Sequence, residues 1–437
     1  MKRIFALLLL FHSCAAMAQR AVAQNWPQWR GPQGTGVSRD PRLPIFWSEQ
    51  RNLKWKCELP RYGTSSPIIW NAAVFVTCQL EDSRLVLLRI NKATGKIEWT
   101  RVVGRSKLTR GSPMRTGQTF HRWHNMASPT PVCDGRFVAA HFGNGDLAVF
   151  KLDGTPVWKK NLQKEQGRYT IWWGYGNSPV IHQNALITVC MQDSVADKGG
   201  EAGKSYVIAH DVRDGHVRWR VARQTKAKGE PGDSYTTPLF IGQGDQRQLV
   251  VMGANQLDAY DPNNGTQLWY VPQLIGARTI TGPTVSNGLI YATIGGRGAL
   301  LAVQPPQKKE KKGKLPRRSV RWRKRGGTPD TCCPVVWDRL LFTITDDGIA
   351  RCWNADSGLV KWKRRLPGKY KASPVAVAGR IFFLNTDGLC TVVSARSRYD
   401  KLTQNQLDDE TIASPAISAG ALFIRGRKAL YCIARPR

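Results

Sequence analysis

Two short segments carry the side chains best suited to chemistry. His121-Arg122-Trp123-His124 offers two imidazoles three residues apart, able to share a metal ion or contact a ligand. On a helix that spacing would bring the rings together; in a loop it does not, and no third ligand is apparent, so no metal site is expected. The plainer reading is that these residues brace a long insertion. Trp172-Trp173-Gly174-Tyr175 supplies aromatic faces that, beside Arg122 and Arg168, would suit stacking on a sugar or an aromatic ligand. Packing between sheets is again the plainer reading, because large aromatics are usually buried. Together His121, Arg122, Trp123, His124, Trp172, Trp173 and Tyr175 form the candidate ligand or partner face.

Catalytic signatures are missing. The sequence has no G-x-S-x-G elbow, no phosphate loop ending in G-K-[ST] and no H-E-x-x-H, so no catalytic residue is assigned. Thr345-Asp346-Asp347-Gly348 and Asn385-Thr386-Asp387-Gly388 look acidic but fit hairpin turns. Ten cysteines include one adjacent pair, Cys332-Cys333, and no paired C-x-x-C zinc site or C-x-x-C-H haem site. Their connectivity is not deducible from spacing.

The formal net charge of +34 draws the chain towards anionic partners, such as acidic polysaccharide or anionic headgroups. Lys308 to Arg325 concentrates it, with eleven Lys or Arg and one Glu. Pro305, Pro306 and Gly313 argue for a loop there, and the segment reads as a solvated, mobile insertion at about 304–318.

The elements that must position these residues are visible as repeats. Asn91 to Gly95 with Trp99, Asp211 to Gly215 with Trp219, Asp261 to Gly265 with Trp269 and Asn354 to Gly358 with Trp362 share one pattern. Lys151 to Gly154 with Trp158 is a copy one residue shorter. Asp or Asn opens the turn, Gly supplies the left-handed conformation, and alternating apolar residues before it mark a strand. Each unit is therefore strand, turn, strand, with a Trp placed to pack between neighbouring sheets.

A second element begins with a small residue and Pro, followed by a hairpin: Ser66-Pro67, Ser128-Pro129, Ser178-Pro179, Thr237-Pro238, Gly282-Pro283, Cys333-Pro334, Ser373-Pro374 and Ser414-Pro415. The shortest spacings, 40 and 41 residues, match one four-stranded propeller blade. Eight such starts predict an all-β, eight-bladed β-propeller of four-stranded blades. The last blade lacks its outer strand, and the N-terminal strand around Trp55 is expected to supply it and close the ring. Closure removes open sheet edges.

The Gly-x-x-x-Trp units and Ser-Pro starts over residues 25 to 436 resemble the quinoprotein-like (pyrroloquinoline quinone-repeat) β-propellers. Trp26-Pro27-Gln28-Trp29-Arg30-Gly31-Pro32 and Ala127-Ser128-Pro129-Thr130-Pro131 look like an exported subgroup common in planctomycetes. The resemblance extends to an outer-membrane assembly lipoprotein and to quinone-dependent alcohol dehydrogenases. The dehydrogenases hold their quinone between a Trp floor and a disulfide of adjacent cysteines, over a calcium site of Glu, Asn and Asp. Cys332-Cys333 is the one adjacent pair here, and no calcium set matches by motif.

Residues 1–23 read as an export signal: Lys2 and Arg3, the apolar run Ile4 to Phe11, then Ala21-Val22-Ala23, with cleavage after Ala23. Lipidation at Cys14 ranks second, because Leu10 to Ser13 is a poor lipobox. Residues 24–437 then form one propeller. The expectation is an exported, non-enzymatic binding or scaffolding module of the periplasm or cell envelope. A monomer without a transmembrane segment is expected, its partner a protein or an anionic envelope polymer and not nucleic acid. No cofactor is expected; the alternatives are a quinone-dependent dehydrogenase using pyrroloquinoline quinone with calcium, or a binder of acidic polysaccharide.

Overall fold

The computed structural model describes residues 25–108, 118–193 and 203–436. The proposed export signal and Cys14 lie outside the described residues. Eight antiparallel sheets form the blades of a ring, as the repeats predict. The innermost strands are Ile68–Trp70, Val132–Cys133, Val180–His182, Leu239–Ile241, Thr284–Ser286, Val335–Trp337, Val375–Val377 and Ala416–Ser418, numbered blades 1 to 8 in that order. The outer strand of blade 8 is Leu53–Glu58, paired antiparallel with Ala429–Ile433 so that Trp55 faces Cys432 and Lys56 faces Tyr431. The chain thus closes its own ring.

The Gly-x-x-x-Trp repeat has a physical reason that spans two blades. The indole N–H groups donate to a turn carbonyl of the next blade: Trp55 to Lys92, Trp99 to Leu152, Trp158 to Val212, Trp219 to Pro262, Trp322 to Ala355 and, in a turn without glycine, Trp362 to Arg396, at 2.9–3.2 Å. The same ring lies against that turn's glycine. A Cβ on Gly95 would sit 2.7 Å from Trp55, one on Gly215 2.8 Å from Trp158, and one on Gly265 2.5 Å from Trp219. Gly154 instead receives the Arg101 guanidinium. Trp269 differs, donating to Gln248 of its own blade. Blade 5 has no such turn to offer, because the basic insertion replaces it.

That insertion is not the free, mobile loop expected. Gly313–Lys314 adds a fifth, parallel strand to the outer strand Gln267–Val271 of blade 4. Lys312 N–H and Leu315 N–H donate to the Leu268 and Tyr270 carbonyls, and Leu315 is buried. Lys309 pairs with Asp261 at 3.2 Å. The insertion covers an edge that would otherwise be open.

The Ser-Pro signature builds a second interlock around the axis. Ser66 N–H donates to Thr130 Oγ1, Thr130 to Ser178 Oγ, and Ser178 to Thr237 Oγ1. Farther round, Gly282 donates to Cys333 Sγ, Cys333 to Ser373 Oγ and Ser373 to Ser414 Oγ. Each small residue satisfies the N–H of the blade before it, and each bond contributes about 1 kcal/mol. In blade 2 the residue in this ring is Thr130, followed by Pro131. The strand start expected at Ser128-Pro129 therefore lies two residues too early.

The N-terminal segment enters the axial channel and plugs it. Trp26 exchanges two 2.8 Å backbone bonds with Ile69, and Pro27 C=O accepts from Cys133 N–H. Arg30, fully buried, donates to the Thr35 and Pro334 carbonyls at 2.6 and 2.7 Å. Val37–Ser38 then runs parallel to Ala376–Val377 of blade 7. The nine described cysteines are free, buried thiols. No helix among the described residues is long and apolar enough to cross a membrane.

Candidate functional site

In an antiparallel four-stranded blade, the loops from each outer strand to the next blade's inner strand emerge on one face. These loops enclose a cavity of about 330 Å³ over the axis, lined by His121, Trp123, His124, Trp173, Tyr235, Arg278, Asp330, Thr331 and Lys371 among others. Below it a narrower throat of about 140 Å³ ends on Trp29 of the plug. The result is a blind funnel, not a pore.

The throat is built by the repeat itself. Residues two positions before each ring residue, Thr64, Ser128, Gly176, Tyr235, Ile280, Thr331, Lys371 and Ile412, line it from all eight blades. Ser128, read as a strand start, is blade 2's member of this layer, 2.7 Å from Thr64.

Four of the seven candidate residues meet at the mouth. His121 packs edge-on against Trp173, ring centroids 5.3 Å apart. His124 donates from Nε2 to the Trp173 carbonyl, and its Nδ1 is 3.0 Å from Ser128 Oγ. Trp123 lies beneath the Arg122 guanidinium, 4.8 Å away, and its carbonyl accepts from Tyr62. Trp173 takes support from Trp172, stacked at 4.5 Å, and from Glu230, which accepts its indole N–H at 3.3 Å. Arg122 is exposed at the margin, and Trp172 is half-buried behind its neighbour. Tyr175 is excluded from the mouth: it is buried, stacks on Tyr169 at 4.8 Å and donates to the Val189 carbonyl. The two imidazoles hold different partners, and no group of three His, Cys, Asp or Glu able to hold a metal exists among the described residues.

The opposite wall is charged, and sequence reasoning missed it. Arg278 bridges Asp330 at 3.1 Å and Glu230 at 3.6 Å. Lys371 of blade 7 pairs with Asp346 of blade 6 at 2.6 Å, and Asp346 also accepts from Thr331 N–H and Oγ1–H. Asp330 Oδ1 is buried without a hydrogen-bond partner. Two cations face three carboxylates, so within a strongly basic chain this wall is not cationic. The signal that marks Tyr235, Thr331 and Lys371 is their shared offset of two from the ring residue. Arg278 and Asp330 carry no such signal.

Cys332 donates its thiol to the Ala372 carbonyl, and Cys333 Sγ accepts from Gly282 N–H as part of the axial ring. Both are occupied in packing. At the mouth, Asp330 Oδ2 and Glu230 bind Arg278 and Asp346 binds Lys371, while Asp330 Oδ1 has no hydrogen-bond partner.

A family model described as outer membrane protein assembly factor BamB matches residues 203–306 and 311–431, just over half of the chain. Among solved structures, BamB from Moraxella catarrhalis superposes with a TM-score of 0.57 at 13% identity, covering 87% of this chain and 98% of that one. The quinohemoprotein alcohol dehydrogenase from Comamonas testosteroni reaches 0.66 at 12% identity, covering 95% and 82%. A europium-containing methanol dehydrogenase reaches 0.63 at 10%, covering 92% and 89%. At these identities the likeness is one of fold. No curated protein sequence matches the chain.

Proposed function

The chain belongs to the outer membrane protein assembly factor BamB family, and on that footing we propose that it is an exported, non-enzymatic binding propeller of the cell envelope whose protein partner docks at the funnel mouth. One observation carries the reading: a blind funnel, aromatic on one wall and ion-paired on the other, at the face where eight interblade loops converge. Blind geometry suits insertion of a partner's loop rather than passage. Trp123, Trp173 and Tyr235 supply rigid apolar area, as binding anchors do. The charge-balanced wall favours a segment carrying both charge signs over a polyanion, which the +34 chain would attract elsewhere.

The quinone-dependent reading loses support from the engaged thiols and carboxylates described above. The test is affinity capture from envelope extract with the intact chain, Trp123→Ala and Trp173→Ala. The expected result is one partner retained by the intact chain and depleted about tenfold or more by each variant. Retention unchanged in both, or tight quinone binding with alcohol-dependent dye reduction, would overturn the proposal.

A further inference from the structure

A second concavity, of about 930 Å³, lies where the ring closes between blades 8 and 1. It is bounded by the turns at Asn71 and Lys92 of blade 1, the turn at Ser418 of blade 8, and the crossing of Lys54 past Arg435. These turns join first to second and third to fourth strands, so the groove opens on the face opposite the funnel.

The turn residue whose carbonyl accepts the neighbouring indole is Leu152, Val212, Pro262 or Ala355 in four copies, all apolar, and Arg396 in a fifth. At the seam it is Lys92, whose carbonyl accepts from Trp55 at 2.9 Å while its side chain enters the groove. The ammonium is half-buried, 3.5 Å from Ser418 Oγ, and burial together with the like charge of Lys54 lowers its pKa. Arg435 adds another cation, Arg42 lies on the wall already paired with Asp40, and no carboxylate lines the groove. The carboxylates nearby on the same segments are engaged: Asp40 with Arg42 at 2.6 Å and Glu49 with Lys56 at 3.6 Å. Gln50, Asn52 and Asn71 complete the wall with amides, which suit hydroxyl groups.

We infer that this seam groove binds a carboxylated glycan, its carboxylate set between Lys92 and Lys54 and its hydroxyls against the amides. An anion there would answer the two lysines that line the groove, in a concavity sized for a ligand. The groove and the funnel are on opposite faces, so this inference stands or falls apart from the proposed partner site.

The test is calorimetric titration of the full chain with galacturonic acid trisaccharide at low salt. Saturable one-to-one binding is expected, weakened about tenfold by Lys92→Met and unchanged by Lys361→Met on the exposed outer strand of blade 6. Lys92→Arg should retain binding, and Lys92→Met should keep the wild-type melting temperature because the Trp55 bond uses the backbone carbonyl. Absence of saturable binding would overturn the inference. So would equal weakening by Lys92→Met and Lys361→Met, which is general charge attraction. Lys92-dependent binding of inorganic phosphate or phosphatidylglycerol vesicles without binding of the trisaccharide would also overturn it.

Discussion

His141 and His210 are buried imidazoles outside the binding face, and they set a pH response. Burial lowers the first to about 3, aided by the His210 charge, and the second to about 4, aided by Lys160 and His216. An unfolded chain binds a proton at each ring near pH 6.5, while the folded chain does not until those lower values. Stability is therefore full above pH 6.5 and falls as the pH drops, by about 1.4 kcal/mol per unit for each ring. Neither nitrogen of His210 has a hydrogen-bond partner, so His210→Leu should flatten the melting temperature between pH 6.5 and 4; an unchanged slope would refute the assignment. The residue scale was only partly legible in the sequence. Trp123 and Trp173 could be singled out because paired aromatics in a loop are conspicuous. Tyr175, in the same run, turned inwards because its hydroxyl finds the Val189 carbonyl and its ring finds Tyr169. Arg278 and Asp330 belong to loops without a repeat, and only the fold brings them together.

Between elements, the tryptophan-to-glycine contact is the unit of adhesion. Gly215 and Gly379 share nearly the same backbone, φ 78° and 79°, but a Cβ at 215 meets Trp158 whereas one at 379 meets open space. Alanine should thus cost about 1 kcal/mol at 379, from the left-handed backbone alone, and about 2–4 kcal/mol at 215, where the interblade contact must also open. Equal losses in urea unfolding would show that the indole contributes little. This contact could be half read from sequence: the turn and the Trp were evident, but not that they belong to different blades. The basic insertion was misread for a related reason. Eleven cations among the residues from Lys308 to Arg325 spoke of solvent, while the lone Leu315, whose burial fixes the added strand on blade 4, was too small a signal to outweigh them.

At the scale of the whole molecule, the ring is sealed at one seam and corked on its axis. Arg425 of blade 8, fully buried, reaches into blade 1 and donates to the Ser65 and Thr77 carbonyls at 3.1 and 2.7 Å. Trp55 completes the junction, tilted against Phe423 with centroids 5.9 Å apart. Trp55→Ala should destabilise the chain by about 3–5 kcal/mol, the usual cost of emptying a packed aromatic site; a melting temperature within error of wild type would mean that closure adds little. Blade number, closure and strand order were legible because each recurs in sequence at fixed spacing. The plug was not, since Trp26 to Ser38 has no repeat, and it is the plug that turns a channel into a funnel. The central claim is that this funnel receives the partner, and site-specific photo-crosslinking tests it most directly. A crosslinker at position 123 and another at 371, on opposite walls, should give adducts with the same envelope protein, and one at position 361 on the rim of blade 6 should give none. Adducts from 361 as strong as from 123 and 371, or different proteins from the two walls, would contradict it.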